Sequence, residues 1–162
     1  GLGDVYKRQG ELRGDFDLTR DLGLLYANTE CGIFGVLPQE NRPEAVGEAI
    51  PVARRTEVRT GKAVILANCR GDEVCAYEIE IEKLYGGSAP TRNLLLRVTD
   101  PALIALTGGI VQGMSGSPIV QDGKLVGAVT HVLLDDPQRG YGILAENMLS
   151  ASGMTAQSAA SA

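Results

Sequence analysis

The sequence predicts an all-β chain of antiparallel strands, on three observations. Glycine is abundant at 21 residues; aromatics are few, with five Tyr, two Phe and no Trp; and the apolar residues fall in short runs broken by turn signals, without long helical faces. At 162 residues and 44% hydrophobic content, the chain can bury one sizeable core. A formal charge of −5 lacks the basic footprint that nucleic acid requires, so no nucleic-acid partner is expected. No apolar run approaches the roughly 18 residues that span a bilayer.

The opening "GLGDVYKRQ", residues 1–9, carries no periodicity and resembles translated adapter sequence at a broken reading-frame end, so it is left out of the fold reasoning. "CGIFGVL" (31–37) predicts a short buried strand, and "GKAVILAN" (61–68) with "EVCAYEIEIEKLY" (73–85) predicts a long hairpin. In the second arm Cys75, Tyr77, Ile79 and Ile81 share one face, while Ala76, Glu78, Glu80 and Glu82 share the other, which is the period of a half-buried strand. The glutamate row reads as a solvated face. The "RGD" between the arms reads as a turn. A turn centred on Asp72 would set Cys69 opposite Cys75; the pair reads first as reduced, packed thiols, and a disulfide is the geometrically possible alternative.

"NLLLRVTD" (93–100) predicts a strand that ends at Asp100-Pro101. "PALIALTG" predicts a helical turn closed by Gly108 and Gly109. In "SPIVQDGKLVGAVTHVLL", Asp122-Gly123 suits a two-residue type I′ turn between apolar arms. Continuing that register pairs Ser115 with Thr130 and Met114 with His131. "YGILAENML" (141–149) predicts a last strand and a short turn, and 150–162 is small-residue sequence expected to form a disordered tail. Three cysteines at spacings unlike common zinc patterns give no metal site, and no cofactor motif is present.

Ser115 stands between Gly113 and Gly116, which let the backbone turn sharply and leave amides free to converge beside its hydroxyl. A serine hydroxyl needs a base within hydrogen-bond reach to act as a nucleophile. The only histidine in the sequence is His131.

"GIFG" at 32–35, "LRVTDP" at 96–101, "TGGIVQGMSGSPIVQDGKLVGAVTHV" at 107–132 and "DPQRGYGILAENML" at 136–149 together resemble the SpoIVB family of sporulation serine peptidases, within the trypsin-like clan. The resemblance covers about residues 10–153, and residues 10–149 are expected to form the peptidase domain. It implies a trypsin-like β-barrel, the C-terminal barrel with part of the N-terminal one, and a serine endopeptidase acting on protein or peptide substrates. It makes Ser115 the nucleophile, with the amides of Gly113 and Ser115 as oxyanion hole. Asp100 is implied as the triad acid, though an Asp before Pro also starts a turn and a "TD" pair here also shapes the second barrel, so both roles stand open. The family's base lies in a "GH" motif upstream of the "GIFG" segment, and no histidine precedes position 131. The chain is therefore expected to be a partial peptidase domain, inactive alone. By trypsin-like analogy Thr130 supports the triad and His131 lines the substrate cleft. The family's upstream membrane anchor and PDZ domain, its self-cleavage, its cleavage of a membrane-associated regulator and its place between the forespore membranes are further implications. A non-catalytic barrel that docks a partner and a thiol-dependent protein using Cys69 or Cys75 are the rival readings.

Overall fold

A computed structural model describes residues 17–44, 47–71 and 73–153. The first nine residues and positions 154–162 of the expected tail lie outside this range. β1 (Leu24–Thr29) and β2 (Gly32–Val36) form a two-stranded antiparallel sheet. Short 3-10 turns at Gln39–Asn41 and Arg55–Glu57 lead to β3 (Gly61–Arg70) and β4 (Glu73–Leu84). β5 (Leu94–Val98), α1 (Pro101–Thr107), β6 (Pro118–Gln121), β7 (Lys124–Leu133), β8 (Asp136–Leu144) and α2 (Ala145–Ala151) complete the chain. β3 to β8 close into an antiparallel barrel in the order β3-β4-β5-β8-β7-β6.

The barrel closes because alternate residues of its strands are branched apolar side chains that meet in one interior. Ile65, Ile79, Ile81, Leu94, Leu96 and Ile119 are fully buried there. Each contributes about 1.5–3 kcal/mol of burial. The alternation in β4 is as the sequence indicates, with Tyr77, Ile79 and Ile81 inside and Glu78 and Glu80 exposed. Glu82 departs from the solvated row: β4 bulges there against β5, and its carboxylate bridges Arg97 and Arg139.

α1 begins and ends where its sequence signals say. Asp100 caps its first turn, Pro101 opens it, and Gly108 closes it in the left-handed region at φ 83°. At the β6–β7 turn Asp122 and Gly123 both have positive φ, 51° and 74°, as a type I′ turn requires.

Several expectations need correction. β2 is not buried: Ile33 and Val36 are exposed, as are Leu24, Leu25 and Tyr26 of β1, a strand the sequence reading passed over. A two-stranded ribbon has no second layer of its own to cover either face. Cys69 and Cys75 are free, the first of the two readings, but they are not cross-strand partners. The β3–β4 turn sets Arg70 opposite Glu73, and an irregularity before it sets Cys75 opposite Ala67. Both thiols pack partly buried against the core. Burial pushes the neighbouring Tyr77 phenol up to about 12. α2 runs through Ser150 and Ala151, two residues assigned to the tail.

The β6–β7 register also shifts. Gln121 pairs with Lys124, but a bulge moves Ile119 opposite Gly127 and Pro118 opposite Ala128. A second irregularity on the β8 side of β7, between Val129 and His131, leaves Thr130 as the extra residue. Val129 and Val132 both pack on the core, so two residues stand between core-facing positions and strict alternation fails at Thr130 and His131.

Candidate active site

The segment from Val111 to Ser117 links α1 to β6 and holds Ser115 on a tight turn. Gly113 and Gly116 have φ of 99° and 92°, conformations that other residues adopt only with strain. Met114 anchors the loop from beneath. Its side chain is buried, its amide donates to the Val111 carbonyl at 3.1 Å, and its carbonyl accepts the Ser117 amide at 3.0 Å. The Gly116 amide donates to the Val129 carbonyl at 2.8 Å and the Val129 amide to the Ser117 carbonyl at 3.0 Å, tying the loop to β7.

Ser115 itself is exposed. Its hydroxyl donates to the Thr130 carbonyl at 2.9 Å. That carbonyl is an acceptor and not a base, so the hydroxyl here is held but not activated. Among the described residues, the Gly113 and Ser115 amides donate to no protein acceptor. Two free amides on a glycine-bent loop are what an oxyanion needs.

Thr130 is half-buried, and its hydroxyl donates to the Tyr141 carbonyl at 3.2 Å. His131 is exposed and pairs across the ladder with Tyr141. It lines an open cleft of about 760 Å³ with Glu30, Tyr85, Gly86, Ala89, Thr91, Arg92 and Tyr141. The structure thus brings Ser115, Thr130 and His131 to one end of β7, although the register that suggested it is shifted.

Asp100 is placed otherwise. Its Oδ1 accepts the amides of Ala102 at 2.8 Å and Leu103 at 3.2 Å, and its Oδ2 accepts the Glu78 amide at 3.0 Å. None of these bonds reaches the Ser115 loop; they serve the turn-starting role of the two left open for Asp100. The Glu78 amide draws the carboxyl below its ordinary range, against a smaller opposing effect of burial and with help from the Leu103 and Ala102 amides. The physical reason is the helix start, since an Asp preceding Pro at the first helical position meets two orphan amides at once.

The cleft residues Tyr85, Arg92 and Tyr141 were not marked by sequence reasoning. They carry no local motif, and only barrel closure sets the end of β4, the approach to β5 and the middle of β8 side by side. Among the described residues no cluster of His, Cys, Asp and Glu is arranged to hold a metal ion, and no helix is long and apolar enough to cross a membrane.

Residues 4–149 match the family model described as SpoIVB peptidase S55. No curated protein matches the chain. Among solved structures, the chain is similar to the active form of the Rv3671c protease from M. tuberculosis, with a TM-score of 0.54 and 21% identity over 82% of this chain. The inactive form of that protease gives a TM-score of 0.50 and 19% identity over 81% of the chain. At these identities the likeness is one of fold. The chain spans 59% of the active-form protease and 67% of the inactive one.

Proposed function

Because the chain belongs to the SpoIVB peptidase S55 family, we propose that it is the nucleophile-bearing part of a serine endopeptidase, with Ser115 as nucleophile. The observation that carries this is the Ser115 loop: an exposed hydroxyl on a two-glycine turn beside the unengaged amides of Gly113 and Ser115. On the β6 side, pairing along β7 stops at Ala128 and the short contacts of Val129, which leaves Thr130 to Leu133 as an open edge. A peptide added there as an antiparallel strand brings its carbonyl carbon to Ser115 and its N-terminal residues alongside His131.

In the reaction a base takes the Ser115 proton as Oγ attacks the carbonyl carbon, and the Gly113 and Ser115 amides hold the resulting oxyanion. Collapse breaks the C–N bond, the departing amine takes the proton, and water then releases the acyl group from Oγ. The peptide's own amide replaces the Ser115 hydroxyl at the Thr130 carbonyl, freeing the hydroxyl to turn toward its base. On this reading His131 contacts substrate and is not that base, its place being in the cleft with Tyr141 and Arg92 along the path of the peptide. The base belongs to an imidazole outside these 162 residues, in the upstream motif that the family resemblance implies. The Asp100 carboxylate serves as the cap of α1, and its assignment as triad acid is the alternative. The same reading sets the enzyme in spore development, cleaving itself and a membrane-associated regulator between the forespore membranes.

The test compares peptide hydrolysis by the 162-residue chain and by a longer chain carrying the upstream imidazole. Only the longer chain should hydrolyse, and Ser115→Ala should abolish that activity, with losses of about a million-fold typical for removing a triad member. Hydrolysis by the longer chain that survives Ser115→Ala would refute the assignment. A longer chain that binds peptides without cleaving them would favour the docking-module reading.

A further inference from the structure

The cleft beside His131 holds an unusual arrangement of cations on aromatic rings. The Tyr85 and Tyr141 rings lie 6.3 Å apart, tilted at 55°. Lys83 Nζ sits 4.8 Å from the centre of the Tyr85 ring, and Arg92 Cζ sits 5.4 Å from the centre of the Tyr141 ring. Each cation is thus held over a ring face, and among the described residues neither forms a salt bridge. Of the two, Arg92 lines the cleft, and among the described residues its guanidinium has no carboxylate partner. Arg92 also has φ 57°, a left-handed conformation that strains a residue with a Cβ. The chain bears that strain at the mouth of the cleft.

Resting on the peptidase reading above, we propose that this cleft is a specificity subsite for a glutamate in the substrate, on the N-terminal side of the scissile bond, with Arg92 as the recognising residue. A peptide added antiparallel along Thr130 to Leu133 runs its N-terminal residues past His131, whose cross-strand neighbour is Tyr141. The peptide strand stands two strand spacings from β8, about 10 Å. Neither an aspartate nor a lysine-length cation at Tyr141 spans that gap as well as a glutamate meeting the long, planar guanidinium of Arg92, which offers paired N–H groups to a carboxylate. Contact with the Tyr141 ring face holds the guanidinium at the cleft that His131 also lines. Side chains of an extended strand alternate, so the preference falls on alternate positions of the peptide only. Glu30 also lines the cleft and opposes a bound carboxylate, which trims the affinity.

The experiment measures binding to the longer chain that carries the upstream imidazole, because aldehyde addition at Ser115 needs that base. Fluorescence anisotropy is read for that chain with labelled hexapeptide aldehydes in which glutamate, glutamine, aspartate or lysine is moved through the four residues before the aldehyde. The aldehyde reports the serine site, because Ser115→Ala should weaken every peptide. At alternate positions glutamate should bind about ten-fold tighter than glutamine, and aspartate less tightly than glutamate. Arg92→Asn, which tolerates the left-handed backbone, should erase the preference; Arg92→Glu should turn it toward lysine; and Glu30→Gln should sharpen it. Equal affinity for glutamate and glutamine, with binding still dependent on Ser115, would overturn the subsite and leave the peptidase reading intact. Binding of no peptide, or binding indifferent to Ser115→Ala, would overturn both.

Discussion

Replacing Asp100 separates its two candidate roles. Asp100→Ala removes the cap on Ala102 and Leu103 and the bond from the Glu78 amide that ties α1 to β4. Loss of an N-cap costs about 1 kcal/mol, and a charge-assisted bond at a partly exposed site adds about 1 kcal/mol more. The expected destabilisation is about 2 kcal/mol, read as a Tm lowered by about 6–8 °C for a domain of this size. Asp100→Asn keeps an oxygen for the cap but turns an amide toward Glu78, so it should cost about half as much. The carboxyl titrates below its ordinary range because it accepts backbone amides, that of Glu78 first. A depressed folded value means that the stabilisation is fully present above the unfolded pKa of about 3.9 and is lost as pH falls through the folded one. Urea denaturation should therefore separate wild type from Asp100→Asn at pH 6 and bring them together as pH falls below the lowered folded pKa of Asp100. An Asp100→Ala protein as stable as wild type would refute the capping argument. In a longer chain with its base, Asp100→Asn should retain most of its activity, whereas a triad acid lost to Asn costs about 10⁴-fold.

Two further substitutions probe what holds the barrel under the site. Asn93 is 2% exposed, donates to the Ala89 carbonyl at 2.9 Å, and accepts the Leu144 amide at 3.0 Å and the Asn147 side chain at 3.1 Å. Asn93→Leu strands those partners and should cost about 3 kcal/mol in denaturant unfolding; a neutral result would show that water replaces the amide. At Gly127 an added Cβ would stand 2.0 Å from the Ile143 carbonyl oxygen. Gly127→Ala must therefore push β7 from β8, and a loss of at least about 3 kcal/mol is expected, whereas unchanged stability would mean that the pair separates cheaply.

Much of this protein is local in its sequence. The all-β class, the β4 alternation, the Asp122-Gly123 turn, the start and stop of α1 and the Ser115 loop each rest on residue types whose backbone preferences act over a few positions. The exposure of β2 was not legible there, because an apolar run reads the same whether or not a second layer covers it. Register was not legible either: the bulges at Val126 and Thr130 come from fitting β7 to two neighbours in a closed barrel, and they undo any count made from the turn alone. The role of Asp100 stayed open in the sequence, since a carboxylate's hydrogen bonds depend on where the Glu78 amide lies, on a strand 22 residues away. Tyr85 follows β4, Arg92 precedes β5 and Tyr141 lies within β8, and only closure of the barrel, a long-range packing event, sets them around one cleft beside His131.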